Sequence, residues 1–362
     1  MLTELHLQNI KSHRDTHIKC KPITALIGPN GSGKSTVLEV LEILKEYASS
    51  KDSADFINKL ILSQGQDDLR FCIHLQKKDW KGSFCVERED RQWKSSFLIE
   101  GQGEPKVYPE PIVMDNDFAL ILKDIFYCKP IVPVLIQPYY YNGPVPVLGK
   151  YGAYLSNMIS YWMTQKKSKF KKLIALMNAL IPSVKDINIE KKEVHIYADH
   201  GKKNYVGALN ASVSKGTVWG EGLTFDVDDH VSIPIESMSE GTLSLLFILT
   251  VIVNSDQNPI LLIDDIEQGL HPKLQRELIQ NIKTYQQEHP EFQIIFTTHS
   301  PYILDCLEPD EVNVLAKDKH GVTHCKSLGN HPDSQRLLSV LTTGEFVAAV
   351  GEEWVIEEGA HG

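Results

Sequence analysis

Ile23-Thr24-Ala25-Leu26-Ile27-Gly28-Pro29-Asn30-Gly31-Ser32-Gly33-Lys34-Ser35 joins a short apolar run to a glycine-rich turn. Behind it, from Thr36 to Tyr47, apolar residues at 37, 38, 40, 41, 43 and 44 fit one face of a helix. Gly28 to Ser35 fits the pattern G-x-x-x-x-G-K-[ST] between a strand and a helix. The chemistry needs these residue types. Triphosphate oxygens want several N–H donors converging on one point, and glycines let the backbone approach that closely. A helix starting near Lys34 aims its positive end at an anion. Lys34 adds a point charge, and the Ser35 hydroxyl is placed to ligate Mg²⁺. The nucleotide-binding candidates are therefore Asn30, Gly31, Ser32, Gly33, Lys34, Ser35 and Thr36, with ATP and Mg²⁺ as the implied ligands. A random chain of this length matches the motif with a chance on the order of 1%.

Further along, Ile260-Leu261-Leu262-Ile263 leads into Asp264-Asp265. Four apolar residues followed by an acid describe a buried strand delivering a carboxylate at its C-terminal end, where open α/β sheets bind ligands. Asp264 is the candidate metal ligand alongside Ser35. Asp265 and Glu267 are candidates to orient or deprotonate water. A single acid in such a place is more often a turn or cap residue; the upstream phosphate loop shifts the reading to a metal site.

Around these two motifs the chain reads as mixed. Leu2 to Gln8 alternates as a strand, Lys11 to His13 turns, and a return strand runs through His17 to Cys20. Arg70 to Gln76 and Ser83 to Glu87 are strand-like. Tyr108 to Leu148 is rich in Pro and Tyr and is left unordered. Ala153 to Ile181 reads as one helix closed by Pro182, and Glu193–198, 205–209, Leu223–Val227 and Val231–Ile235 read as short strands. The last third alternates helix 241–253, strand 260–264, helix 273–287, strand 293–297 and short helix 302–306. Such βα alternation with apolar strands predicts an α/β fold: a mostly parallel central sheet with helices on both faces, an antiparallel β subdomain and a helical insertion. The expected organisation is one domain over 1–362. Its lobes are 1–100 around the phosphate loop, an inserted segment 101–235, a lobe 236–330, and C-terminal helices 331–362.

The 362 residues are 42% hydrophobic and 23% charged, enough to bury a large core. Net charge is −10, which argues against a generally basic nucleic-acid-binding surface. From Glu236 onward there are 7 Lys and Arg against 20 Asp and Glu, so the acidity is concentrated in the last third. Six cysteines show no C-x-x-C pair, so neither a zinc ribbon nor a redox pair is suggested, and a chain this size needs no disulfide staples. The opening has no apolar signal-peptide run, and the longest apolar stretch is far below a membrane span of roughly 18 residues. These features lead to the expectation of a soluble, cytoplasmic protein with no membrane partner.

The order of Gly28–Ser35, then Met238-Ser239-Glu240-Gly241-Thr242, then Ile260 to Pro272, then Phe296-Thr297-Thr298-His299-Ser300-Pro301 resembles the ABC-type ATPase heads. The opening Asn9-Ile10-Lys11-Ser12-His13 is similar to their SMC/RecF-like branch. The likeness is nearest to the ATPase part of the OLD (overcoming-lysogenization-defect) proteins, AAA-family ATPases of bacterial defence systems. It spans Leu2 to Leu304, loosely between about 50 and 230. By this resemblance Ser239 and Gly241 are the signature that closes on the γ-phosphate held by another subunit, His299 is the switch histidine, and Gln137 is the candidate Q-loop residue. Read by itself, Ser239 is simply a helix cap. Gly269-Leu270-His271-Pro272 matches the turn after the acidic strand, with His271 structural. The family has Glu where this chain has Asp265. One methylene less shortens the reach by ~1.5 Å, and a misplacement of that size costs ~100-fold in rate, so hydrolysis is expected to be slow.

The resemblance implies an Mg²⁺-dependent ATPase that dimerises, or forms a higher oligomer of dimers, and controls a separate effector such as a nuclease or toxin in bacterial anti-phage defence. The 205 positions from Lys34 to Ser239 hold prolines and β patterns, so no long coiled coil is expected. The 63 residues after His299 lack a D-x-D pair, and no nuclease domain is expected there. Asp226-Val227-Asp228 reads as a turn. Lysines at 166, 167, 169, 171, 172, 185, 191, 192, 202 and 203 form a basic stretch, read either as a solvated face or as a nucleic-acid groove. Gly344 to Trp354 reads as an amphipathic helix. The competing functions are an ATP-loaded scaffold with little hydrolysis and a RecF-like DNA-repair clamp. A transporter ATPase fits least.

Overall fold

The computed structural model describes residues 1–49, 69–77, 80–89, 92–100, 106–108, 122–196, 216–228, 231–256 and 259–356. In chain order the strands are β1 (Leu2–Ile10), β2 (His13–Lys19), β3 (Ile23–Ile27), β4 (Leu69–Lys77), β5 (Trp80–Glu89), β6 (Gln92–Ile99), β7 (Lys106–Tyr108), β8 (Ile125–Cys128), β9 (Val184–Ile196), β10 (Gly216–Val227), β11 (Val231–Pro234), β12 (Ile260–Ile263), β13 (Gln293–Thr297), β14 (Val312–Lys317) and β15 (Thr323–Ser327). The helices are α1 (Lys34–Ser49), α2 (Val132–Leu135), α3 (Leu155–Gln165), α4 (Lys167–Leu180), α5 (Glu240–Val253), α6 (Pro272–Glu288), α7 (Pro301–Leu304), α8 (Ser334–Leu337) and α9 (Thr343–Val350). Two compact units result. One comprises Met1–Tyr127, Gln257–Glu267 and Leu278–Gly362, the other Cys128–Asp256 and Gln268–Glu277.

In the first unit a twelve-stranded sheet runs in the order β7-β6-β5-β4-β1-β2-β15-β14-β3-β13-β12-β8. Strands β12, β13, β3 and β14 pair in parallel. Every residue of β3, β12 and β13 is buried. That burial explains their unbroken apolar runs, since a parallel strand is covered on both faces. The antiparallel ladder of β1, β2 and β4 to β7 is continuous with this parallel core through β2 and β15. The fold is thus mixed α/β with a parallel central sheet and an antiparallel extension. In β1 the apolar spacing slips from Leu2 to Leu5, and a register shift against β4 between Leu2 and Glu4 absorbs the slip, so both side chains are buried.

The second unit carries the three-stranded sheet β11-β10-β9 and the helices α2 to α5. Helix α5 is apolar all round, and each residue from Gly241 to Val253 is buried, as that composition demands. The turn expected over 226–228 is shorter: Asp226 and Val227 lie in β10, with Asp226 opposite Ser232, and only Asp228, at φ 37°, turns the chain.

Several local expectations are corrected. The single helix over 153–181 is two helices, broken at Lys166 (φ −133°, ψ 54°). The pattern hid the break because Trp162 and Leu173, both buried, keep the spacing of one continuous helix face. Residues 205–209 lie outside the described residues. The C-terminal helix stops at Val350, Gly351 has φ 60°, and a 3₁₀ turn follows at Glu353–Val355. Cys72 and Cys85 form a disulfide where none was expected. They stand opposite each other on β4 and β5 with Cα atoms 4.1 Å apart. That pairing comes from strand register, which spacing rules for cysteine motifs do not detect.

Candidate functional site

The phosphate-loop residues lie between β3 and α1. Ser32 N donates to the Pro29 carbonyl at 3.1 Å, and Val37 N donates to the Gly33 carbonyl at 3.3 Å to start the helix. Gly33 has φ 105°, and a Cβ there would meet His13 Nε2 at 2.6 Å. A side chain is therefore excluded both by the backbone conformation and by the residue beneath. Lys34 is buried, and its ammonium donates to the carbonyls of Gly28 (2.8 Å) and Pro29 (3.0 Å). Burial lowers its pKa, while the carboxylates of Asp265, Asp264 and Glu267 pull the other way.

The end of β12 meets this loop. Ser35 Oγ lies 3.1 Å from Asp264 Oδ1 and 3.4 Å from Oδ2. Asp264 is buried and accepts a further bond from Thr297 Oγ1 at 2.7 Å. The same threonine hydroxyl accepts from Asp265 N at 2.8 Å. One residue of β13 thus holds the Asp264 carboxylate and the Asp265 backbone together. Asp265 adopts φ 55°, a left-handed conformation that Asp tolerates better than most side chains. Glu267 Oε1 accepts from the backbone N–H of His299 at 2.7 Å. Its Oε2 is buried with no partner.

A cavity of about 360 Å³ opens over these residues, lined by Asn30, Gly31, Gly33, Lys34, Ser35, Thr36, Asp265 and His299 among others. The lining is polar, with backbone amides and the Lys34 cation around it. Ser35 of the lining touches the buried Asp264, and a hydroxyl and a carboxylate in contact are the hard-oxygen pair that Mg²⁺ takes. Ser32 Oγ is buried and unpartnered in the loop. The residues present therefore fit a nucleotide phosphate tail with Mg²⁺.

Lys11, Ser12 and Lys317 also line the cavity and were not among the sequence candidates. Lys11 and Ser12 stand in the quoted Asn9–His13 opening, which was the signal for them; Lys317 ends a strand that sequence patterning did not reveal. His13 and Thr323 support the loop from below. His13 Nε2 lies 3.2 Å from the Gly33 carbonyl, so it carries the proton, since a carbonyl only accepts. Burial depresses His13 to a pKa of about 4. Thr323 Oγ1 donates to the Ser32 carbonyl at 2.9 Å.

Gln137, Ser239 and Gly241 belong to the second unit. Gln137 is exposed, and its amide donates to the Pro133 carbonyl at 3.1 Å. Ser239 caps α5 by accepting from Thr242 N at 3.2 Å. A Cβ on Gly241 would meet the Gly269 carbonyl oxygen at 2.3 Å. His271 Nδ1 accepts weakly from Lys273 N at 3.4 Å, a structural contact within the turn. In the basic stretch, Lys169 bonds Asp256, Lys191 bonds Glu221, and Lys192 bonds Glu190 and Glu236. These three lysines are thus each paired with an acid. Lys202 and Lys203 lie outside the described residues.

Residues 1–96 match a family described as "AAA ATPase domain". Residues 161–305 match one described as "AAA domain, putative AbiEii toxin, Type IV TA system". The two matched segments are of ATPase-domain type, and the fold is SMC-head-like. A curated relative, the "Retron Vc95 probable ATPase" of Vibrio cholerae serotype O1 biovar El Tor, is 32% identical over 95 residues, which cover 23% of this chain and 18% of that protein. Among solved structures, an SmcHead bound to the C-winged helix domain of ScpA aligns with TM-score 0.59 at 17% identity, covering 93% of this chain and 99% of that one. A Pyrococcus furiosus Smc head domain with an extended coiled coil, bound to the C-terminal domain of ScpA, aligns with TM-score 0.56 at 13% identity, covering 93% and 98%. Among the described residues no helix is long and apolar enough to cross a membrane.

Proposed function

We propose that this chain is a cytoplasmic, Mg²⁺-dependent ATPase of the OLD-like kind, whose nucleotide-loaded copies pair head to tail and control a separate effector, a nuclease or toxin, in anti-phage defence. The observation that carries the ATPase reading is the contact between Ser35 Oγ and Asp264, two oxygen ligands brought together from chain positions 229 apart at the mouth of a glycine-lined loop. Bound Mg²⁺ supplies charge neutralisation for the phosphate tail. The residues do the rest. Loop amides and Lys34 hold the phosphates, with the ammonium exchanging its Gly28 and Pro29 carbonyls for phosphate oxygens. Asp265 orients water, and Glu267 positions the His299 segment. Ser239 and Gly241, at the N-terminus of α5, complete the Lys34 pocket of a second copy. ATP is then a ligand for the closed pair, and hydrolysis reopens it. The match to a toxin-associated family and the retron ATPase relative support the defence setting.

A phosphate-release assay on wild type, Lys34→Ala and Asp265→Asn, with light scattering in ATP, tests this. The expected result is slow, Mg²⁺-dependent turnover in wild type alone and an ATP-dependent rise to dimer mass that Ser239→Arg abolishes. Equal background release from all three proteins would leave the second reading, an ATP-loaded scaffold. Two features favour that alternative: the short reach of Asp265, and the engagement of Glu267 with the His299 amide.

A further inference from the structure

The β1–β2 hairpin of the first unit carries a second cluster of metal-ligating side chains. His6 stands directly opposite His17 across the ladder, and Gln8 stands opposite Asp15. The two imidazole rings stack with centroids 3.8 Å apart and planes inclined by 18°. His6 Nε2 is 2.6 Å from Asp15 Oδ1, and His17 Nε2 is 3.9 Å from the same oxygen. One ligand atom from each of the three residues lies within 4.8 Å of the others. Behind them, His17 Nδ1 is bonded to Glu4 Oε1 at 2.8 Å. Gln8 Nε2 donates to Asp15 Oδ1 at 3.3 Å.

We infer that His6, Asp15 and His17 form a binding site for a divalent transition-metal ion of the zinc class, with Glu4 as the outer carboxylate that orients His17. The argument is one of donor type and direction. The contact with Glu4 commits the proton of His17 to Nδ1 and leaves the Nε2 lone pair facing the shared aspartate. A carboxylate behind a ligating histidine is the usual way such a ring is held and its basicity raised. Ligand atoms around a tetrahedral zinc at 2.0–2.1 Å stand about 3.3 Å apart, and the 2.6 and 3.9 Å separations bracket that value. The two rings lie nearly parallel and His6 Nε2 is bonded to Asp15, so the ion displaces that proton and the exposed His17 ring turns out of the stack to share the ion. Two imidazoles and one carboxylate favour Zn²⁺, Ni²⁺ or Cu²⁺ over Mg²⁺, which prefers all-oxygen ligation. This site is therefore chemically distinct from the Ser35–Asp264 pair. Three protein ligands leave the remaining position to water. The turn of the same hairpin supplies Lys11 and Ser12 to the nucleotide cavity.

Calorimetric titration of Zn²⁺ into the chelator-treated full chain, with excess Mg²⁺ and no nucleotide, tests the site. Wild type is expected to bind one tight equivalent. His17→Ala and Asp15→Ala each weaken that equivalent about 100-fold, and Glu4→Gln, which alters no ligand, weakens it at least about tenfold. Ser35→Ala leaves the isotherm unchanged, which separates this site from the nucleotide pocket. Co²⁺ in place of Zn²⁺ gives a visible absorption band in wild type that His17→Ala lacks. Absence of a saturable equivalent in wild type overturns the inference, as does an isotherm that His17→Ala and Asp15→Ala leave unmoved. Should an alanine variant melt below wild type in the absence of metal, the Glu4→Gln titration and the wild-type Co²⁺ spectrum decide the matter.

Discussion

Ser35 Oγ and Asp264 Oδ1 stand 3.1 Å apart, one at the first turn of α1 and the other at the end of β12. Thr297 holds that aspartate from a third element, β13. Asp264→Asn keeps the shape and removes the charge. Phosphate release at saturating Mg²⁺ is expected to fall about 100-fold, since the metal contributes several kcal/mol of charge stabilisation. Binding of a fluorescent nucleotide without Mg²⁺ is expected to persist. Parallel loss of both would place Asp264 in folding instead.

The proposed function gives Asp265 the water and Glu267 the support of the His299 segment. Asp265→Asn suits the left-handed backbone as well as Asp does, so stability is expected to hold. Turnover is expected to fall about 100-fold or more, the usual share of a general base. Glu267→Gln keeps an oxygen for the His299 amide and is expected to cost only about fivefold, the ~1 kcal/mol between a charge-assisted and a neutral hydrogen bond. Single-turnover rates on the two variants check this. Equal losses would move the base to Glu267.

His13 makes the first unit pH-sensitive. Its pKa is lowered to about 4 in the folded chain against an ordinary 6.5. The unfolded chain therefore binds the extra proton between those values, and folding stability is full above pH 6.5 and declines as pH falls toward 4. Between pH 7 and pH 5 this group alone is expected to remove about 2 kcal/mol. His13→Gln retains an N–H for the Gly33 carbonyl and lacks the titration. Urea unfolding at the two pH values is expected to show a smaller difference in that variant; an equal slope would contradict the assignment.

Gly241 lies against the backbone of Gly269. Gly241→Ala would bring a methyl against the Gly269 carbonyl oxygen at 2.3 Å, so the turn after β12 or the start of α5 must move. Crowding of this kind costs about 1–3 kcal/mol. ATP binding at the Lys34 loop is expected to survive and ATP-dependent dimerisation to fail, which equilibrium dialysis and light scattering separate. A variant that dimerises normally would remove Gly241 from the pairing surface.

The nucleotide half of the site was readable because its strands are unbroken apolar runs and its turns are glycine and acid. Ile23 to Ser35 and Ile260 to Asp265 carry their structure locally. Residues that act through register were not readable. Thr297 looks like one more strand residue until its hydroxyl is seen to serve both Asp264 and Asp265. Strands β14 and β15 escaped notice because the polar Asn313 is buried within β14, where it bonds the Lys19 carbonyl. The disulfide and the His6–His17 pair were invisible for the same reason. Strand pairing, not sequence spacing, brings them together.

The side chain of Gln293 accepts from Leu2 N and donates to the carbonyls of Leu2 and Lys21. Strand β3, which leads into the phosphate loop, is flanked by β13 and β14. Strand β3 therefore meets its neighbours, and β2 its second partner β15, only after the distant β13 to β15 segments have been made. Until then β3 and the outer edge of β2 are open, the situation in which chaperones are recruited. Truncations short of β14 should consequently yield aggregating polypeptide instead of a smaller folded protein.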